Sequence, residues 1–259
     1  MEQARALGQS SQWDSVAKFW RMYSSDLPRT RQTTQILLQS LLLQRGTSES
    51  ITSICTDPHL INNNQNAADS NDSPVLLQGV FFDSRLRELA KGARQGLPKR
   101  LTYGEALQVR QQQIESGEMD ADAPIPLLET EDDAWNRIVE WLEEVVSDAL
   151  VVTTQRGKDE EMDVLVIAHS GLLRVFLHRL LPPERLRSHA DATYDPVDGK
   201  FAIPNASLTI LTLSCSSDDD DYDSKKSHKE LSAMMDSVDI TLLTSTKHYD
   251  ELREIAKTR

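Results

Sequence analysis

Three polar side chains stand where predicted strands give way to polar turns and helices. His169 follows the apolar run "VLVIA", and a Ser-Gly step then leads into a helical pattern. Arg29 falls in the first turn of a helix predicted after "YSSD", and Glu88 comes just past the strand candidate "VLLQGVFF". Imidazole and guanidinium groups can bind a phosphate, and a carboxylic acid can protonate a leaving-group oxygen. The three side chains could therefore bind and process a phosphate ester.

Each of these residues also has a structural explanation when it is taken alone. His169 could be a buried histidine that bonds to a neighbour, Arg29 a solvated arginine and Glu88 a surface charge. A cation such as Arg29 is unfavourable in a first helical turn, because the helix dipole is positive there. A phosphate bound at the same helix start would reverse that penalty. The position of Arg29 thus favours an anion site.

The elements that must position these residues alternate along the chain. Strands are predicted at 19–24, 75–82, 163–168, 206–213 and 238–244, and helices at 27–46, 130–150 and 172–181. Thr130 and Asp133 predict a capping box at the start of the second helix. The order of elements predicts an α/β fold, a mostly parallel sheet with helices on both faces. In such sheets ligands bind outside the carboxyl ends of the strands, where His169 is expected.

We predict a single domain over residues 1–259, interrupted by two polar insertions. Residues 46–74 are rich in Asn, Ser and Asp, and residues 214–236 combine Ser, Asp and Lys. Neither segment can bury enough apolar surface to offset the entropy of ordering it. Both insertions are therefore expected to be disordered.

Composition excludes several classes of function. The net charge of −13 argues against a general nucleic-acid binder. The sequence has no run of about 18 apolar residues, so no membrane span is expected. Cys55 and Cys215 suggest neither a disulfide framework nor a zinc site, which favours a reducing, cytoplasmic compartment. The sequence shows no cluster of metal-ligand residues, and we expect no metal and no other cofactor.

The three stretches together resemble the histidine phosphatases, the superfamily that contains the cofactor-dependent phosphoglycerate mutases. "MYSSDLPRTRQTTQIL" is similar to the family's "YSSDLxRAxQTA", "DSRLRELAKG" to "ERLRE…G", and "VLVIAHSGLLRVFL" to "VLVVSHGGxIRxLL". The resemblance implies that Arg29 and His169 bind the phosphoryl group and that Glu88 is the proton donor. Glu88 and His169 would be the catalytic residues present. It also implies a three-layer, phosphoglycerate mutase-like α/β sandwich.

One motif of the family does not occur in this sequence. The family begins with a strand and Arg-His-Gly, whose histidine is the nucleophile, but the sequence contains no Arg-His-Gly. The segment "MEQARALGQ" resembles the family helix that follows this motif. The chain is therefore expected to lack the first strand and to begin inside the domain, and any targeting information would lie in the missing part. The other histidines match other family segments or the insertions: His59, His178, His189, His228 and His248.

The function implied by the resemblance is a phosphomonoester phosphatase that acts through a phosphohistidine and is impaired in this chain. Its substrate would be a phosphorylated small molecule or a phosphoprotein. Two alternatives stay open: a phosphoglycerate mutase-like phosphoryl transfer, and a non-catalytic domain that binds a phosphorylated ligand or a protein. The segment 89–107 is basic through Lys91, Arg94, Lys99 and Arg100. It could draw in an anionic substrate or be an ordinary solvated loop.

Overall fold

A computed structural model describes residues 2–10, 19–44, 80–98, 100–120, 127–156, 162–181, 193–194, 201–203, 208–215 and 235–245. The helices are α1 (Glu2–Gly8), α2 (Pro28–Gln44), α3 (Tyr103–Glu115), α4 (Glu131–Arg156) and α5 (Ser170–Leu180). The strands are β1 (Arg21–Ser25), β2 (Val80–Asp83), β3 (Val164–Ile167), β4 (Thr193–Tyr194), β5 (Phe201–Ala202), β6 (Leu208–Cys215) and β7 (Met235–Ser245). Short 3₁₀ turns occupy Ser84–Leu86 and Gly92–Arg94.

A parallel sheet of three strands, in the order β2-β1-β3, is the centre of the described structure. The register sets Ser25 of β1 beside Asp83 of β2, and Ser24 beside Ile167 of β3. The three strands therefore end at the same edge of the sheet. Helix α2 follows β1 and helix α5 follows β3, as the alternating sequence pattern predicts. The predicted α/β class and mostly parallel sheet are confirmed.

The alternation of side chains along β1 divides the core into two layers. Met22 faces α1 and α2 and is fully buried together with Leu38 and Leu41. Tyr23 points to the opposite face of the sheet, where it joins Trp141 of α4 and other apolar residues of α4 and α5. Burial of these apolar side chains stabilises helices on both faces of the sheet. The arrangement is a three-layer sandwich over the described residues.

Gly8 lets α1 approach α2 closely. A Cβ atom built at this position would lie 2.5 Å from the carbonyl oxygen of Leu37 and 2.7 Å from Cβ of Ser40. Both separations are far below van der Waals contact, so any larger residue would push the helices apart. Close packing against α2 therefore explains the glycine in "MEQARALGQ".

The start of α4 follows the capping signal in the sequence. Thr130 and Asp133 form the predicted capping box, with the Asp133 N–H donating to Thr130 Oγ1 at 3.1 Å and the Thr130 N–H to Asp133 Oδ2 at 3.1 Å. Helix α3 was not predicted, although Thr102 and Glu105 make the same motif. The basic segment 89–107 is thus not a loop throughout, because its last residues belong to α3.

The last two strands differ from the expected arrangement. Within the described residues, β6 and β7 pair with each other in an antiparallel ladder, and β4 pairs with β5. Neither pair is joined to the three parallel strands, whereas the sequence pattern had grouped them in one sheet. Periodicity identifies a strand but carries no information about its partner.

Several sequence predictions fall outside the described residues. The proposed insertion at 46–74 is among them, as is most of the one at 214–236. Ser214, Cys215, Met235 and Asp236 are exceptions, because they lie in β6 and β7. Disorder of these segments stays a prediction.

Candidate functional site

The three residues singled out in the sequence come together at the carboxyl edge of the parallel sheet. His169 follows β3 and is the N-cap residue of α5. Arg29 is the second residue of α2, and its Nη2 atom lies 3.1 Å from Nδ1 of His169. Glu88 lies in the loop after β2, with its carboxylate against Gly171 of α5. The convergence follows from the parallel register, because strands running in one direction present their following loops at one edge.

His169 is buried, with 7% of its surface exposed, and both ring nitrogens have partners. Its Nε2 atom lies 2.9 Å from Oγ of Ser25 and 3.0 Å from Oγ1 of Thr30. A guanidinium group can only donate, so the 3.1 Å contact from Arg29 makes Nδ1 an acceptor. The remaining proton of the neutral ring is then on Nε2 and is donated to the two hydroxyl groups. The hydrogen bonds thus define a neutral tautomer.

Burial is the main cause that lowers the pKa of His169 below its ordinary value of 6.5, and the charge of Arg29 lowers it further. Arg137 acts in the same direction, while Glu88 and Asp26 oppose it. The lowered pKa agrees with the tautomer set by the hydrogen bonds. His169 is therefore neutral near pH 7 in the free protein.

Arg29 is exposed, in contrast to the histidine that it contacts. Pro28 begins α2, where its fixed φ angle suits the first helical position. No acidic residue lies in the first turn of α2, so Arg29 places a cation at the positive end of the helix dipole. An anion between Arg29 and His169 would neutralise this unfavourable charge. Asp26, two residues before Pro28, carries its carboxylate toward Arg87.

Two residues of the site escaped the sequence analysis. Ser25 ends β1 and Thr30 lies in the first turn of α2, and both are buried against His169. Two further hydroxyl groups extend this hydrogen-bond network. Ser24 Oγ lies 2.9 Å from Oγ1 of Thr34, which in turn donates to the carbonyl of Thr30. Their signal is present in the sequence: two serines at a strand end, followed by threonines four residues apart on one helix face. We call Ser25, Arg29, Thr30 and His169 the His169 pocket.

Glu88 belongs to the second part of the site, residues 84–90, which we call the Glu88 loop. Its Oε1 atom would lie 2.3 Å from a Cβ atom built on Gly171. Only glycine at this second position of α5 therefore lets the carboxylate approach the helix start. The positive end of the helix dipole stabilises a carboxylate there. The Ser-Gly step after His169 thus has a structural reason beyond the turn.

Ion pairs hold the Glu88 loop on its outer side. Arg87 donates to both carboxylate oxygens of Asp26, at 2.6 and 2.5 Å, and so ties the loop to the start of α2. Arg85 pairs with Asp83 and with Glu144 of α4. The hydrogen bond from Arg87 is the main cause that lowers the pKa of Asp26 below its ordinary value. The pairs with Arg87 and Glu144 are exposed at the surface.

The basic residues of 91–100 follow the Glu88 loop. Lys91 forms an isolated antiparallel bridge with Leu128, and Arg94 ends the 3₁₀ turn Gly92–Arg94. The Nε atom of Arg94 is buried and has no hydrogen-bond partner. Lys99 lies outside the described residues. The role of this segment in attracting an anion stays a prediction.

Comparison with protein families identifies the superfamily. The model of the histidine phosphatase superfamily (branch 1) matches residues 74–216, more than half of the 259-residue chain. The chain belongs to the histidine phosphatase superfamily. The matched range contains Glu88 and His169, and Arg29 precedes it.

This histidine phosphatase superfamily member is also similar to solved structures at low sequence identity. Mycobacterial hydrolase 1 is 17% identical, with 94% of this chain and 84% of that chain covered and a TM-score of 0.46. Mycobacterial glucosyl-3-phosphoglycerate phosphatase, solved with inorganic phosphate, is 17% identical, with 95% and 86% covered and a TM-score of 0.46. Bacillus stearothermophilus YhfR is 18% identical, with 80% and 82% covered and a TM-score of 0.37. No curated protein matches the chain significantly.

Membrane-spanning helices and metal-binding clusters are both absent from the described residues. None of the helices there has both the length and the apolar character needed to cross a membrane. In the same part of the chain, no three His, Cys, Asp or Glu side chains are grouped so that they could hold a metal ion.

Proposed function

We propose that this chain carries the phosphate-binding part of a histidine-type phosphomonoester phosphatase. The observation that supports it most is the 3.1 Å contact between Arg29 and His169 at the carboxyl edge of the sheet. Two nitrogen atoms this close can bind two oxygens of one phosphate once both carry a proton. The superfamily match supports the same class of reaction.

Phosphate binding would change the hydrogen bonds of His169. In the free protein Nδ1 accepts from Arg29, and an acceptor cannot bind a phosphate oxygen. We propose that Nδ1 then takes up a proton while Nε2 keeps its own proton, donated to Ser25 and Thr30, so that the ring becomes an imidazolium. Arg29 would then turn its free donors to the phosphate. The imidazolium and the guanidinium together offset the charge on the equatorial oxygens in the transition state.

Glu88 is proposed as the acid that protonates the leaving alcohol. In the reaction implied by the superfamily, a histidine nitrogen attacks phosphorus while the bond to the ester oxygen breaks. The carboxyl proton of Glu88 passes to that oxygen, so that an alcohol leaves. Water then attacks the phosphohistidine, its proton returns to the Glu88 carboxylate, and phosphate is released.

The nucleophile of this reaction is not among the residues that we assign. The superfamily's nucleophilic histidine stands in Arg-His-Gly, which the sequence does not contain. We therefore propose that this chain hydrolyses phosphomonoesters slowly or not at all. A second candidate function is a domain that binds a phosphorylated ligand through Arg29 and His169 without turning it over. A mutase would differ by moving phosphate within one substrate without releasing it.

The proposal is tested by supplying the nucleophile. The 259-residue chain is compared with a version extended before Met1 by a strand ending in Arg-His-Gly, using an aryl phosphate and acid-quench trapping. The extended chain is expected to turn over several orders of magnitude faster and to trap phosphohistidine. An identical extension with alanine in place of its histidine controls for stabilisation of the fold. Equal turnover by all three chains, abolished by His169→Ala, would show that the nucleophile is misassigned.

A further inference from the structure

Arg137 of α4 contacts the Glu88 loop more extensively than its position in an amphipathic helix suggests. Its Nη2 atom donates to the carbonyl oxygen of Arg87 at 2.8 Å, and its Nη1 atom donates to the carbonyl oxygen of Arg85. The guanidinium thus binds the backbone on the N-terminal side of Glu88. Only 18% of the Arg137 side chain is exposed, so water competes little for these bonds.

Glu129 completes the contact on the other side of the loop. Its Oε1 accepts from Nε of Arg137 at 2.5 Å, and its Oε2 accepts from Nη2 at 3.1 Å. The same Oε2 atom accepts from the backbone N–H of Ala90 at 2.9 Å, and the Glu129 N–H donates to the Ala90 carbonyl at 3.0 Å. The Arg137–Glu129 pair therefore holds the backbone on both sides of Glu88.

We propose that Arg137, together with Glu129, is the positioning residue that holds Glu88 against the start of α5, beside His169. The proposal rests on the proposed function only in assigning Glu88 as the proton donor. The planar guanidinium group of Arg137 matters as much as its charge, because it binds two backbone carbonyls and the carboxylate of Glu129 at once. A lysine cannot make these bonds together. Loss of the fork lets the loop move, and a carboxylic acid displaced by about 1 Å protonates a leaving group poorly.

The test measures the coupling between Glu88 and His169 in the free protein. Glu88 raises the pKa of His169, so Glu88→Gln lowers it. An NMR titration of the parent chain is expected to show this decrease in the pKa of His169. With Arg137→Lys, which keeps the charge but loses the fork, Glu88→Gln is expected to shift the pKa by less than half as much.

Arg110→Lys is the matched control. Arg110 also lies on a helix and donates to two backbone carbonyls, those of Ala93 and Gln95. These carbonyls lie after the Glu88 loop, in and next to the 3₁₀ turn Gly92–Arg94. Glu88→Gln should lower the pKa of His169 by the same amount in Arg110→Lys as in the parent chain. If Arg137→Lys does not fold, Glu129→Gln breaks the same ion pair and is expected to give the same loss of coupling.

Two outcomes overturn the proposal. An equal effect of Glu88→Gln in the parent, in Arg137→Lys and in Glu129→Gln would show that the loop needs no support from the pair. No effect in the parent would show that Glu88 is not held near His169. The titration requires no phosphate, so the positioning role is judged apart from the proposed function. If inorganic phosphate fails to bind while Arg137→Lys still abolishes the coupling, the proposed function is wrong and the positioning role stands.

Discussion

The His169 pocket and the Glu88 loop meet at one sheet edge but are stabilised by different physical means. In the pocket, His169 is fixed by hydroxyl groups of Ser25 and Thr30, which are buried and uncharged. The Glu88 loop is held by arginine side chains that pair with carboxylates, and several of these pairs reach solvent. The pocket should therefore respond to loss of hydroxyl groups and to pH, and the loop to loss of charge and to salt.

The largest stability effect is expected from the hydroxyl groups of the pocket. Ser25→Ala combined with Thr30→Val leaves the Nε2 proton of His169 buried without an acceptor. An unsatisfied buried donor costs about 1–3 kcal/mol, so the free energy of unfolding should fall by about that amount in urea denaturation. Each single change should cost much less than half of this, because the other hydroxyl still accepts. Thr33→Val, on the exposed side of the same helix, is the control and should change stability by less than about 0.5 kcal/mol. A double variant as stable as the control would contradict this account of the pocket.

The pH dependence of stability is expected to come next in size. The pKa of His169 is lowered in the folded state, mainly by burial. Below about pH 6.5 the unfolded chain therefore binds a proton that the folded chain does not, and stability falls as the pH falls. His169→Asn should flatten this part of the profile, measured by denaturation from about pH 8 to about pH 5. Thr33→Val, the exposed control on α2, should leave it unchanged; a similar flattening by both variants would show that the effect does not come from His169.

Anion binding should have the opposite dependence on pH. Sulfate keeps its charge over this range, so its affinity reports protonation of the protein alone. Because the proposed anion contact requires a proton on Nδ1 of His169, sulfate should bind more tightly as the pH falls from about 8 to about 6. Calorimetry in buffers of different ionisation enthalpy should detect proton uptake on binding. A sulfate affinity that is independent of pH, together with a binding enthalpy that is the same in every buffer, would exclude this role for His169.

The smallest effect is expected from the exposed ion pairs of the Glu88 loop. Arg87→Gln removes the pair with Asp26, and exposed pairs contribute about 0–1 kcal/mol. The loss should shrink further in about 1 M salt, where charges are screened within a few ångströms. The same salt concentration should not alter the loss in the free energy of unfolding that Ser25→Ala and Thr30→Val cause. Equal salt sensitivity of both sets of variants would remove the distinction between the two regions.

The sequence predicted the elements that carry the site better than it predicted the contacts within it. The apolar run before His169 and the Ser-Gly step after it correctly indicated β3 and α5, and the helix predicted at 27–46 is α2. These signals are local, since they depend on residues that are neighbours in the chain. Parallel pairing then brings His169 and Arg29 together across 140 positions.

The sequence shows the serines and threonines of the pocket but not what they contact, because their partners are distant in sequence. Ser25 and Thr30 are common residue types at a strand end and in a first helical turn, and nothing nearby specifies an imidazole as their partner. Arg137 resembles a solvated arginine on an amphipathic helix, yet it contacts carbonyls about 50 positions away. The start of α3 is different, because its capping box, Thr102 and Glu105, is a local signal that the sequence contains.

Binding of inorganic phosphate, measured by calorimetry on the chain and on matched arginine variants, tests the central claim most directly. If Arg29 and His169 hold one phosphate together, Arg29→Ala and His169→Ala should each weaken binding by about 10-fold or more. The double variant should be little worse than either single variant, because the two groups share one ligand. Arg31→Gln removes the same charge from the same helix, but Arg31 stacks on Phe82, so the loss should stay below about 3-fold. Unchanged binding in Arg29→Ala, or an equal loss in Arg31→Gln, would contradict the shared phosphate site.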